Sequence, residues 1–418
     1  MQRARRGLHG LISLLVPCTS VADEQRVVPA LPSAQPAWTL SLPAAIGLVV
    51  GMRVLFGLAA ALAYYTSAKN APMFAVAHLA QLPEIPSFAR PELLPWLQWD
   101  TAWYLAISVH GYSHVPWSTA FQPLYPLVIH VVTPVCCGVP LVAALLVSSV
   151  AFGAACYLFS RLVALHWDGP IARRSLVVLL CSPCSFFFLA AYSESLFLVS
   201  SIAAVYLAER HRYGMSGVAA AFAYLSRSQG LALLPALAVY AWQVHGSRQR
   251  AYAALRLLVP VALTAVIYQV VVTKVLGLPS ATDAMQRQWN VRIQPPWETI
   301  WQYMRVIRSP RFSLFGAPAY NFGSVINLAT ALLSLALLVW GTKRVPLTWT
   351  VYGCASWVIA LSRFESTSRY ITVIFPLYVV LALLSLRAPK RIQVLGVALS
   401  LALLGFLSTA QLVGNFVA

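Results

Sequence analysis

Of the 418 residues, 60% are hydrophobic and 10% are charged, and the mean hydropathy is +0.74. A soluble globular domain carries about 25% charged residues, so the composition excludes one and indicates a polytopic membrane protein with little soluble mass. The 29 basic residues outweigh 11 acidic ones for a net charge of +18. They stand in short clusters between apolar runs, which fits inward-facing loops and anionic membrane lipids and gives no reason to expect nucleic acid.

Arg3, Arg5 and Arg6 ahead of the apolar Leu8–Val16 have the outline of a signal peptide. The apolar part is short, and Pro17 before Cys18 does not suit a lipoprotein cleavage site. Residues 1–41 therefore read as a cytoplasmic tail and linker, the linker being the Pro-, Ala- and Ser-rich stretch 20–41. Residues 42–418 read as a single transmembrane domain. A membrane helix needs about 20 apolar residues, and the first is Leu42–Tyr65. A long segment, 66–140, follows, rich in proline and aromatics. Its most apolar run, Phe121–Val135, is short and holds Pro123, Pro126 and Pro134.

Whether that run crosses decides the orientation of everything after it. Later spans are expected at Leu141–Leu165, Ser175–Ala191, Ser195–Ala208, Leu257–Leu276, Phe322–Trp340, Pro346–Leu361, Tyr370–Leu386 and Ile392–Val413. If Phe121–Val135 is a non-spanning juxtamembrane helix, the basic residues of the short loops share the side of the N-terminus. They are Arg161, Arg173, Arg174, Arg210, Arg212, Arg248, Arg250, Arg256, Lys343, Arg344, Arg387, Lys390 and Arg391, against only Asp168 and Glu209. Lys and Arg in short loops set orientation. The outer side then holds 66–140, the Tyr192–Glu194 turn, the second large loop 277–321 and the Ser362–Arg369 turn. The 277–321 loop departs from the rule with Arg287, Arg292, Arg305, Arg308 and Arg311, a cluster suited to an anionic headgroup or phosphate.

Tyr213–Gln243 lies between two inward basic clusters, and its length does not allow two regular crossings. Its polar middle, Ser226–Gly230, fits a re-entrant or broken hairpin. The fold expected is all-α and polytopic, with about 9–12 transmembrane helices, juxtamembrane helices in the first outer loop and no internal repeat. The cysteines form no framework. Cys181 and Cys184 make a CxxC inside an apolar run, which reads as packing.

The segment with most to say about chemistry is Trp99–Asp100–Thr101–Ala102–Trp103–Tyr104, closed by Ala120–Leu127. It sets one carboxylate among aromatics at a membrane border, where a charge is costly without a task or partner. Glu194 is a second outward acid, either an orienting group at the site or an acid favoured by the start of the helix from Ser195. Arg227 and Arg369 either hold a phosphate or pair with Glu194, Glu365 or a helix C-terminus, and Arg363 is a further copy of the same idea. Trp99, Trp103, Tyr104, Tyr112 and Tyr125 either form an interfacial belt or include one that stacks on a sugar. His78, His110 and His114 invite a metal, but no paired acids accompany them, and no cofactor is expected.

The stretches Trp99–Tyr104, Ala106–Ile107, Gly111–Tyr112 and Ala120–Leu127 resemble the signature of the PIG-V family. Those enzymes add the second mannose to the glycosylphosphatidylinositol anchor, and they have bacterial relatives. Ala191–Phe197, Ala223–Gly230 before Leu233–Pro235, and Arg369–Tyr370 before Phe375–Leu377 continue the resemblance in order. Gln122 stands where an aromatic is usual, and Ser368 where a proline usually precedes Arg-Tyr. The resemblance implies a GT-C glycosyltransferase that takes mannose from a polyprenyl-phosphate carrier and passes it to a lipid-linked or glycolipid acceptor, with inversion, outside the cytoplasm. The membrane would be the cell membrane of a bacterium or the endoplasmic reticulum of a eukaryote. In that reading Asp100 is the general base and Glu194 the second acid of the site. Trp99, Trp103, Tyr104, Gln122, Tyr125, Arg227, Arg363 and Arg369 bind substrate. The alternative is a transporter or flippase of lipid-linked glycans, which would carry ionisable groups near the bilayer midplane and often repeated halves.

Overall fold

The computed structural model describes residues 38–66, 85, 87–309, 319–364 and 366–414, without the side chains of 319–322. Residues 1–37 of the proposed N-terminal tail and linker, Lys69, His78, Arg311 and Glu365 fall outside the described residues. All regular structure among the described residues is helical. Five helices are long and apolar enough to cross a membrane: α1 (Leu42–Thr66), α4 (Pro140–Val163), α9 (Ser247–Val270, prolonged by a π turn to Val275), α12 (Ala319–Gly341) and α16 (Lys390–Leu412). The membrane-length stretch of α4 is 61% buried, against 39% in α12, 22% in α1 and 17% in α9 and α16, so α4 is central and α1, α9 and α16 are peripheral. Leu55, Leu58 and Leu62 of α1 are exposed, as lipid-facing residues should be.

Between the long helices the chain is broken into short ones. Within 66–140 stand α2 (Asp100–His110) and α3 (Leu124–Val132). With 9 residues, α3 is about 14 Å long, half the thickness of a bilayer core. The expected spans Ser175–Ala191 and Tyr370–Leu386 are corrected: neither is one helix. The first divides into α5 (Gly169–Cys181), an irregular stretch with a tight turn at Ser185–Phe188, and the start of α6 (Glu194–Glu209). Ser182 precedes Pro183 and takes an extended ψ of 137°, which ends α5. The second divides into α14 (Thr367–Thr372) and α15 (Pro376–Ser385), the latter opening on a proline, which has no N–H to give. Ahead of α14 stands α13 (Leu347–Ala360).

Irregular backbone in a membrane protein has to be satisfied by protein. Here side chains do it. Arg53, a cation midway along α1, donates to the Leu189 carbonyl at 2.6 Å and to Ser149 Oγ at 2.7 Å. Ser195 Oγ donates to Phe188 O, Ser148 Oγ to Tyr192 O at 3.1 Å, and Tyr352 OH to Val373 O at 3.4 Å. The α5–α6 break is thereby fixed, and with it the position of Glu194.

Residues 213–243 form a helical hairpin of α7 (Tyr213–Ser226) and α8 (Leu233–Gln243), with 14 and 11 residues. The arms are about 21 and 16 Å long. The rings of Tyr213 and Tyr240 are 6.4 Å apart, so the open ends lie together and the polar tip is at the far end. At the tip Arg227 turns extended (φ −154°, ψ 141°). Gly230 then folds back on α7, where a Cβ would stand 2.3 Å from Tyr224 N, a space only glycine leaves. Gln229 Nε2 ties the tip to Tyr370 O at 3.0 Å.

Candidate active site

Four segments distant in sequence bring a charge each to one place. Asp100 opens α2 and Glu194 opens α6; at these helix N-termini the backbone dipole favours an acid. Trp99, just before Asp100, has φ 52°, a left-handed backbone that is costly for a bulky residue and typical of functional sites. The hairpin tip supplies Arg227, and α14 supplies Arg369.

Arg369 Nη2 lies 2.5 Å from Asp100 Oδ2, and its Nε lies 2.8 Å from Glu194 Oε1, an ion contact without hydrogen-bond alignment. Arg227 Nη1 reaches the same Glu194 oxygen at 2.5 Å, and its guanidinium stacks over the Tyr370 ring at 4.4 Å. Two carboxylates thus balance two guanidiniums. Burial alone would lower the pKa of the Arg369 guanidinium, but Asp100 and Glu194 outweigh it and hold the group well above its ordinary range. Arg369 therefore stays charged. Tyr104 OH shares a hydrogen bond with Ser193 Oγ at 2.8 Å, next to Glu194.

The four groups differ in access. The side chains of Glu194, Arg227 and Arg369 are 0%, 5% and 8% exposed, and that of Asp100 is 25% exposed. Asp100 Oδ2 is taken by Arg369, and Oδ1 has no hydrogen bond among the described residues. Asp100 lines a cleft of about 280 Å³ together with Trp99, Trp103, Tyr104, Gln122, Arg227, Arg363 and Arg369. Gln122 is buried at 6% exposure, and its Oε1 has no partner among the described residues.

Two candidate residues need correction. Tyr125 does not line the cleft: it is 0% exposed, and its hydroxyl is used up on Ala144 O (3.0 Å) and Ser148 Oγ (2.7 Å) of α4. Glu194 does not line it either; it is sealed behind Asp100, where it holds the two arginines, with its Oε2 unpartnered among the described residues. Of the readings open for Arg227 and Arg369, the geometry realises pairing with acids. His110 and His114, four residues apart, do not share a helical face, because α2 ends at His110 and Gly111 (φ 75°) turns the chain.

One wall of the cleft comes from residues the sequence did not single out. The 277–321 loop carries a short helix, α10 (Ala281–Trp289), whose Met285 and Trp289 face the cleft. Trp103 stacks on Phe121 at 5.6 Å, and Trp289 packs edge-on against both, at 5.2 and 5.9 Å. A readable signal was present: Ser280 caps α10 by accepting from Asp283 N, the serine-then-acid spacing that starts helices.

Two solved chains are similar to this one. One is the Archaeoglobus fulgidus oligosaccharyltransferase AglB in complex with an inhibitory peptide and a dolichol-phosphate, at 13% identity and a TM-score of 0.42. The other is the A. fulgidus oligosaccharyltransferase in its apo form, at 13% and 0.40. Each match covers 88% of this chain, which spans 56% of the length of the solved one. No curated protein matches the sequence. The model of one protein family, Mannosyltransferase (PIG-V), matches residues 48–285 and so takes in Asp100, Glu194 and Arg227. With more than half of its length matched, the chain belongs to the mannosyltransferase (PIG-V) family.

Proposed function

We propose that this protein is an integral-membrane mannosyltransferase of GT-C type, using a polyprenyl-phosphate sugar as donor and a lipid-linked or glycolipid alcohol as acceptor. The observation that carries the reading is Asp100: among the described residues it is the one carboxylate that lines the cleft, and Arg369 holds it through Oδ2. An acceptor hydroxyl donates its proton to Asp100 as its oxygen attacks the anomeric carbon. The bond to the phosphate oxygen breaks on the opposite face, and the polyprenyl phosphate leaves as an anion that needs no proton, only positive charge. One base, with no second carboxylate lining the cleft among the described residues, fits single displacement with inversion. The donor sugar has an aromatic wall in Trp103, Phe121 and Trp289, and Gln122 Oε1 offers an acceptor to a sugar hydroxyl.

The reaction is assigned to the extracytoplasmic side. The distribution of Lys and Arg supports this, since Arg210 and Arg212 follow the end of α6 opposite to Glu194. A transporter is the weaker reading, because both acids sit at helix starts and no repeat appears in the sequence.

Membranes containing the protein, given labelled polyprenyl-phosphate mannose or labelled GDP-mannose, test the donor. The expected label enters a lipid acceptor from the first and not directly from the second. Direct transfer from the nucleotide sugar would contradict the reading.

A further inference from the structure

The leaving phosphate needs a cation, and the charge balance of the quartet restricts which residue can supply it. Arg227 and Arg369 are neutralised by Glu194 and Asp100 and are almost entirely buried. Drawing Arg369 toward a ligand would leave Asp100 without its cation, and drawing Arg227 away would leave the fully buried Glu194 with Arg369 alone, both costly changes. Arg363 differs. It lines the same cleft, is partly exposed, and has no carboxylate within ion-pair distance among the described residues.

The loop bearing Arg363 is held from both sides by α11 (Pro296–Ile307), on the 277–321 loop. Ahead of Arg363, Thr299 Oγ1 donates to Leu361 O at 2.7 Å, and Gln294 N donates to Ser362 O at 2.9 Å. Behind it, Tyr303 OH shares a hydrogen bond with Thr367 Oγ1 at 2.9 Å, and the Tyr303 ring lies 4.7 Å from that of Phe364. Thr299 and Tyr303 are 0% and 2% exposed. Two buried side chains on successive turns therefore fix a short loop around one arginine. An arginine held in place loses little freedom on meeting a phosphate, and its planar fork matches two phosphate oxygens.

We propose that Arg363 receives the phosphate of the polyprenyl donor, and that Thr299 and Tyr303 are positioning residues that set its reach. This deepens the functional reading above and rests on it. The quartet keeps Asp100 in place while a separate cation holds the leaving group.

The test is binding of farnesyl monophosphate and of farnesol to the purified full chain in lipid nanodiscs, which needs no acceptor. The wild type should prefer the phosphate by about tenfold or more. Arg363→Ala should abolish that preference and leave farnesol binding unchanged, and Arg363→Lys should restore part of it. Tyr303→Phe should weaken phosphate binding a few-fold without affecting farnesol, whereas a purely structural role would change both. Arg363→Ala with an intact preference, or a preference lost only in Arg227→Gln, would overturn the assignment and leave the donor class standing. A wild type that does not distinguish phosphate from alcohol would overturn both.

Discussion

Helix α6 carries an acid at each end, Glu194 fully buried and Glu209 10% exposed, and the two have different environments. At its start, where the dipole favours negative charge, Glu194 is fully buried and serves two arginines, one of which passes the charge on to Asp100 at the cleft. At its end, where the dipole opposes it, Glu209 is satisfied by His166 Nε2 and Trp349 Nε1, both at 2.8 Å. That second cluster closes on itself: Trp349 is fully buried and packs against His166 and Trp167. Burial and ion pairing thus do not by themselves mark a functional acid. The mark is a chain of contacts that ends on a group open to a cavity.

Variants at the two ends should separate these roles. Arg369→Ala should have the largest effect, since it leaves two carboxylates without their shared cation. Breaking a buried pair costs about 3–5 kcal/mol, and both thermal stability and sugar transfer should fall. Glu194→Gln should cost less, about 1–3 kcal/mol, because the amide still offers an oxygen to one arginine. Transfer should nevertheless drop, as Arg369 is no longer fixed. Equal transfer in Glu194→Gln and wild type would make the quartet purely structural.

At the other end, Glu209→Gln should lower the melting temperature by an amount corresponding to about 1 kcal/mol and leave transfer per folded molecule unchanged. A selective loss of transfer there would erase the distinction between the two ends. Asp168→Asn, an exposed residue before α5 without a side-chain cap bond, should change neither quantity.

Much of the lining of the cleft was legible in the sequence because Asp100 and its aromatics are contiguous and stand where a charge is expensive. The partner of Asp100 was not: Arg369 lies 269 positions away, and the sequence offered it a phosphate, Glu194, Glu365 or a helix C-terminus, but not Asp100. Tyr125 was misplaced because its neighbours in the motif, Phe121 and Gln122, do line the cleft, whereas a helical turn at Leu124 points Tyr125 into α4. Met285 and Trp289 were passed over, since an amphipathic helix in a loop has many other uses. For the fold, the all-helical plan and the long apolar helices were readable from hydropathy. The breaks after Cys181 and before Pro376 were not, because both lie in uninterrupted apolar runs. Proline was their only trace, and it also occurs inside helices, as Pro260 does in α9.

The most direct measurement is single-turnover transfer from pre-bound labelled polyprenyl-phosphate mannose by purified wild type and Asp100→Asn. Asn keeps the shape and cannot take a proton. The account predicts that the variant folds and binds donor like the wild type and transfers about 100- to 10,000-fold more slowly. Transfer at the wild-type rate would show that Asp100 is not the base.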